Sequence, residues 1–473
     1  MDTETCHKSE SADNVVQASP SMSGWQSMCK DFKDSYLMRI HTAFWLLGLC
    51  NHFGGVIILS GAHDIVRGQD HHEVRTSGRP HRYGSAGGGG GVNRSYGNET
   101  QCDDLECNQH STAIVLLAHV VPALLMKLLA PHVTHLISFN IRVASCMMLC
   151  ISSLLVVALV HERMLSLAGV VLMSLSMSLG EVTFLSMTAQ FPVSAVSYWS
   201  SGTGASGVIG AWGYVLMRRH LSPRDSMLVC LVAPILMGLT YWKILKLPTL
   251  SHGEAVVTIK ANLDDDSSSD TMSVSSEASL DPKHTEVLWK SRRPLKSAPT
   301  SLRNRMLQLR VLLQYMVPLF FVYFAEYLIN QGLYELMIWR TCIFIDPGEQ
   351  YRWFQALYQF GVFISRSSSQ ILPINPIWLL STLQLVNLGV LFIEVDKHIF
   401  PNIYIPFVFT FYEGLLGGAC YANAFTRIHR EVAPAQQEFS LGAASVADSL
   451  GIAVAGVTAL PIHSHYCSMW ARK

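Results

Sequence analysis

The chain has 473 residues, of which 14% are charged and 50% hydrophobic, against about 25% charged in an average soluble domain. Acidic and basic residues balance at 34 each, so no basic excess exists to displace counterions from a nucleic acid. The mean hydropathy of +0.28 argues against a soluble multidomain enzyme of this length.

Charge is concentrated in three segments. Residues 1–40, 64–107 and 247–310 hold 39 of the 68 charged residues, and the remaining 325 positions share 29. Apolar runs of about twenty residues recur between them, the length at which a helix spans a hydrocarbon core of about 30 Å. Backbone groups in lipid must be satisfied within the segment, and no alternating pattern suggests a barrel, so helices are expected. In chain order they fall near 40–62, 111–131, 141–161, 165–190, 203–221, 226–246, 311–339, 351–372, 376–396, 402–425 and 440–462. The expected fold is an all-α polytopic membrane protein with about eleven transmembrane helices in two pseudo-repeated bundles. Residues 1–39 read as a disordered cytosolic N-terminus, 40–246 as a six-helix bundle and 247–310 as a disordered cytosolic linker. Residues 311–463 read as a five-helix bundle and 464–473 as a tail. No short apolar core with a small-residue cleavage site precedes the first span, which reads as an uncleaved anchor.

The loop at 63–110 carries both sequons, Asn93-Arg94-Ser95 and Asn98-Glu99-Thr100. Sequons are used on the lumenal side, which places the N-terminus in the cytosol. Cys102 and Cys107 share that loop, either as a lumenal disulfide or as free thiols. Positive charge gives mixed support: Arg292, Arg293, Lys296, Arg303, Arg305 and Arg310 agree with a cytosolic linker, whereas Arg218, Arg219 and Arg224 fall on the expected lumenal side. The linker's Asp264 to Asp266 run and its Ser267 to Ser279 stretch are too polar to bury a core. They suit either a solvated spacer or a phosphorylated segment that recruits trafficking partners.

The two halves repeat one another. Asn51 lies deep in the first helix and Asn330 deep in the first helix after the linker. The fourth helix carries Glu181 beside Gly180, and its counterpart carries Glu413 beside Gly414. Each next helix has small residues every fourth position, Gly202, Ser206 and Gly210 in one, and Ala443, Ala447, Gly451, Ala455 and Ala459 in the other. Such ladders let helix backbones approach closely in lipid. A duplicated core of this kind places its solute between the halves near mid-membrane.

An ionisable group inside the hydrocarbon costs several kcal/mol, so each asks for a reason. The candidates are His119, Lys127, Glu181, Glu326, Glu335, Arg352, Arg366, Glu413 and Asp448. Glu326 and Asn330 are one helical turn apart, as are Gln331 and Glu335, which gives that helix one polar side. Arg366 and Lys127 are the cations available to an anionic solute group, Arg by bidentate contact and Lys as a point charge. Lys127 stands four residues before Pro131, and the expectation for it is snorkelling to the interface; Arg352 reads likewise. The carboxylates either bind a cationic group, carry coupling protons or pair with the bases. For Asp448, beside a packing ladder, and for His119 the structural role leads. Gly202 to Gly207 fits GxGxxG but follows no strand, and Ser206 belongs to the ladder, so neither dinucleotide binding nor a serine protease is supported. No paired-His metal motif or Walker loop appears, so neither a metal site nor a cofactor is expected.

Seven motifs carry a family resemblance: Phe44 to Phe53, Leu179 to Ser186, Trp199 to Gly204, Val322 to Leu333, Tyr351 to Trp353, Ser365 to Ser368 and Tyr412 to Ala419. They resemble the battenin family of lysosomal membrane proteins, whose loss underlies juvenile neuronal ceroid lipofuscinosis, and the match runs from about Phe44 to Pro461 outside the loops. The resemblance implies a fold related to the major facilitator superfamily and residence in lysosomal and late endosomal membranes, with Golgi traffic. It also implies roles in clearing glycerophosphodiesters, lysosomal pH, autophagy and vesicle trafficking, and a link to basic amino-acid transport. The motif residues it carries over are Glu181, Ser200, Ser201, Thr203, Glu326, Asn330, Arg352, Arg366 and Glu413. Arg366 or Lys127, a carboxylate and the aromatic faces of Tyr327 or Tyr323 would suit a zwitterion of phosphate and quaternary ammonium. The family's acidic-dileucine signal is not evident in the linker, and Cys467 is followed by six residues instead of a prenylation box. A transporter is the leading expectation; a membrane scaffold acting through its cytosolic loop is the alternative.

Overall fold

The computed structural model describes residues 20–60, 111–133, 136–160, 162–245, 302–334, 336, 337, 339, 347–374 and 376–470. Asn93, Asn98, Cys102, Cys107 and most of the linker lie outside the described residues. The elements are α1 Pro20–Ser60, α2 Ser111–Val133, α3 Phe139–Leu159, α4 Arg163–Thr188, α5 Ser194–His220, α6 Pro223–Val229, α7 Val232–Leu239, α8 Leu302–Leu328, α9 Pro347–Ser368, α10 Ile377–Lys397, α11 Tyr404–Glu431, α12 Pro434–Ala444 and α13 Val446–Trp470. A π-helical turn, Thr240–Ile244, extends α7 and another, Ile329–Leu333, extends α8.

With α6 joined to α7 and α12 to α13, these form eleven rods among the described residues, in the expected order. The ends differ. The first helix starts at Pro20, because polar residues of adequate helix propensity continue the rod beyond its apolar part. The fifth starts at Ser194 instead of 203; its first turns are too polar for an apolar-run criterion, yet Trp199 there is fully buried. The eighth helix takes in Arg303, Arg305 and Arg310, and the last runs through the expected tail to Trp470. Local chemistry sets the turns: the Ser222 hydroxyl accepts the Asp225 N–H at 3.1 Å ahead of Pro223, and His398 in the left-handed region ends α10.

The rods alternate in direction, so every helix has a linker end, where α7 stops and α8 starts, and a loop end, where residues 61–110 join α1 to α2. The packing repeats between halves: α1 on α5 matches α8 on α13, α2 on α4 matches α9 on α11, and α3 on α4 matches α10 on α11. The seam is symmetric too, with α2 on α13 mirroring α5 on α9, and α4 on α12 mirroring α5 on α11. Glycine permits the closest of these approaches. A Cβ at Gly202 would collide with the Trp45 carbonyl, and one at Gly414 with that of Tyr358.

Buried apolar residues gather unevenly. One large cluster occupies the linker end and draws on both halves, from Phe44, Phe191 and Tyr241 to Tyr315, Phe425 and Leu441. At the loop end the clusters separate: Ile57, Met173 and Tyr214 belong to the first half, and Tyr334, Phe354 and Leu391 to the second. The buried apolar core is shared between the halves at the linker end and split between them at the loop end, where the Trp212 ring of α5 still meets that of Trp353 on α9 at 5.9 Å. Between them runs a polar layer. Seven stretches are long and apolar enough to span a membrane by length and composition alone. Four of the eleven rods fall outside that set: α2, whose apolar stretch Leu116–Ala130 is shorter, and α5, α9 and α11, which carry polar residues of the layer.

Candidate functional site

Each contributing helix sets its polar residue between residues of the shared cluster and residues of a loop-end cluster. Glu181 lies between Phe184 and Met173 on α4, Glu326 between Tyr323 and Ile329 on α8, and Thr203 between Trp199 and Tyr214 on α5. Glu413 likewise precedes Leu416 on α11 and follows Phe407 and Phe409.

Three networks form the layer. In the first, Lys127 Nζ stands 2.7 Å from Glu181 Oε2 and 2.9 Å from Asp448 Oδ1, and also donates to Asp448 Oδ2 at 3.1 Å. Lys127 is only 4% exposed. The snorkelling expectation is therefore corrected: α2 faces α4 and α13 at this level, and two carboxylates hold the ammonium inside. Asp448, read as a packing residue, is its partner from the other half.

In the second, Arg366 on α9 lies over the Tyr421 ring, 4.2 Å from its centroid. One guanidinium nitrogen donates to Thr203 Oγ1 at 2.5 Å and another to the Tyr323 hydroxyl at 3.0 Å, while Nε is buried without a partner. Among the described residues no carboxylate lies within ion-pair distance of Arg366. Tyr421 donates to Glu181 Oε1 at 3.1 Å and accepts from Trp199 Nε1 at 3.4 Å, so the cation and Glu181 share one tyrosine. His52 Nε2 is 3.9 Å from Glu181 Oε2, with 18% of its side chain exposed.

In the third, Glu326 accepts a hydrogen bond from the Tyr358 hydroxyl, and its Oε2 is buried with no partner. Glu413 accepts from Asn330 Nδ2 at 2.8 Å and from the Tyr334 hydroxyl at 2.5 Å, and Gln355 donates to Asn330 Oδ1 at 3.0 Å. Tyr327 stacks beside Tyr323 with ring centroids 6.3 Å apart. Neither Glu326 nor Glu413 has a cation within ion-pair distance among the described residues, although both are at most 1% exposed. Charges so placed are costly unless a ligand or a proton meets them.

The remaining sequence candidates divide. Ser201 bridges the seam, 2.9 Å from the Ser367 hydroxyl and accepting from Trp45 Nε1 at 3.2 Å. Ser200 is buried with a partnerless hydroxyl. The His119 carbonyl accepts from Ser174 and its Nδ1 has no partner. Arg352 is exposed near the loop end of α9 and does not join the layer. The Glu335 side chain lies outside the described residues. Tyr421, Tyr358, Tyr334 and Gln355 were not anticipated, since an aromatic in an apolar helix reads as core until its hydroxyl's partner is known.

The CLN3 protein family model matches residues 42–469. The chain belongs to the CLN3 protein family. Battenin of the dog is 40% identical over 441 residues, 90% of this chain and 91% of that protein. Protein BTN1 of Yarrowia lipolytica is 32% identical over 434 residues, 91% of this chain and 95% of that one. Two solved structures share the fold at low identity. The human organic anion transporter MFSD10 superposes with a TM-score of 0.52 at 13% identity, covering 92% of this chain and 96% of its own. An autoinhibited POT family peptide transporter gives 0.51 at 10%, covering 91% of each. This CLN3 family member therefore shares the all-helical fold of these two transporters.

Proposed function

We propose that the chain is a lysosomal and late endosomal transporter that moves a small solute with an anionic group, of the glycerophosphodiester class, between its two halves. The observation that carries this reading is Arg366: a buried guanidinium at the seam that, among the described residues, is held by neutral hydroxyls and an aromatic face and keeps an Nε–H without a partner. A phosphodiester oxygen is a natural acceptor for it. Glu326 with Tyr323 and Tyr327 supplies the opposite charge and aromatic faces for an ammonium. Lys127 is already neutralised and is assigned no solute contact. Family membership supports the organelle, and the fold supports alternating access. In this reading the 61–110 loop is lumenal and glycosylated, the linker end is cytosolic, and the conformation described faces the lumen. Effects on lysosomal pH, autophagy and trafficking would follow from lost clearance.

The test is uptake of labelled glycerophosphocholine by proteoliposomes containing the purified chain. Flux abolished by Arg366→Gln and reduced by Arg366→Lys is expected, with unchanged thermal stability of each variant. No flux from well-folded wild-type protein would sink this substrate assignment.

A further inference from the structure

Lys127 and Glu181 belong to the first half and Asp448 to the second, so the triad of the first network crosses the seam. Its charges sum to minus one, because one ammonium serves two carboxylates. The triad sits at the level where the shared core begins, so parting the halves at the linker end separates Asp448 from Lys127. The Lys127–Glu181 pair travels intact with the first half. Asp448 would keep only the Ser449 N–H among the described residues, and a buried carboxylate that loses its cation is strongly destabilised unless something else neutralises it.

We propose that Asp448 is a proton-binding site that couples opening of the linker end to a pH gradient, the proton replacing Lys127 as the partner of its carboxylate. The step forms one O–H bond on Asp448 and breaks two hydrogen bonds from Lys127, which keeps all its protons and its contact with Glu181. The triad then becomes neutral. The titratable and charged groups that face Asp448 are Lys127 from α2, Glu181 from α4, Tyr323, Glu326 and Tyr327 from α8 and Tyr421 from α11; behind them, His119 lies beside Lys127 and Arg366 beside Tyr323 and Tyr421. On α12, Glu438 pairs with Arg142. Because protons bind the parted state better, lower pH shifts the population towards it. The inference rests on the transporter reading, and it gives a direction: acid on the lumenal side drives opening to the cytosol.

The experiment uses the full chain in lipid nanodiscs, with reactive native cysteines replaced. Spin labels go on Leu136→Cys and Ile371→Cys, exposed linker-end positions in opposite halves. Between about pH 7.5 and about pH 5 the ratio of long to short inter-label distances should rise about tenfold or more in the wild type. Asp448→Asn should show the long distance at both pH values, and Asp448→Glu, which keeps a titratable group, should retain the pH response. A wild type indifferent to pH, or an Asp448→Asn variant with the wild-type response, would overturn the proposal. No solute is present, so pH-driven opening together with absent glycerophosphocholine flux would condemn the substrate assignment alone.

Discussion

At the scale of single residues, the layer separates charges that are paired from charges that await something. Glu413 meets only neutral donors, Asn330 and Tyr334. Glu413→Gln can keep an acceptor for Asn330 Nδ2 and donate its new amide N–H to the Tyr334 hydroxyl, so detergent thermal unfolding should show little loss or a gain in stability. Asn330→Ala strips a donor from a buried carboxylate and should cost about 1–3 kcal/mol in the same assay. For Arg366→Lys the loss is geometric, since an ammonium cannot reproduce the fork held by Thr203 and Tyr323. Half-saturation for glycerophosphocholine should rise about ten- to a hundredfold, the equivalent of about 1–3 kcal/mol. Sequence identified these ionisable groups because charge in an apolar helix is conspicuous. It misjudged Lys127, because distance from a helix end does not say which side of the helix meets a carboxylate from the opposite half.

At the scale of the helix, glycines on α5 have opposite meanings. Gly202 lies against the Trp45 carbonyl of α1, whereas a Cβ at Gly213 would meet nothing within 4 Å. Gly202→Ala should force α1 and α5 apart and cost about 1–3 kcal/mol. Gly213→Ala should be neutral or stabilising by about 0.5–1 kcal/mol through lost chain entropy. Thermal melts of the two variants, made on one helix, test the close approach without changing polarity. The ladder of Gly202, Ser206 and Gly210 showed in sequence that α5 packs tightly. It did not show that Gly204 and Gly207 open the other side of α5 to Phe363 and Gln359 of α9, because spacing registers one face and the partner of a second face is a tertiary fact. The start of α5 was missed for a related reason: Ser194 to Ser201 is polar to match the seam, so hydropathy alone reads it as loop.

At the scale of the whole molecule, the apolar clusters are distributed asymmetrically between the two ends. Phe425 and Phe354 are both fully buried on second-half helices, but Phe425 lies in the cluster that joins the halves and Phe354 in one confined to the second half. Truncating either to Ala should remove about 3–5 kcal/mol of packing. For Phe354 the whole loss falls on the fold, whereas for Phe425 part of it falls on the seal at the linker end. The two cases separate in the labelling of a cysteine at Ala444, which is fully buried in the shared cluster, by an impermeant maleimide applied at the linker end and read by mass spectrometry. Phe425→Ala should raise the labelling rate several-fold at a temperature where the protein remains folded, and Phe354→Ala should lower the melting temperature without changing that rate. Equal labelling in the two variants would mean that the shared cluster does not hold the halves together, and that the linker end is closed by the Lys127–Asp448 and Arg142–Glu438 pairs instead.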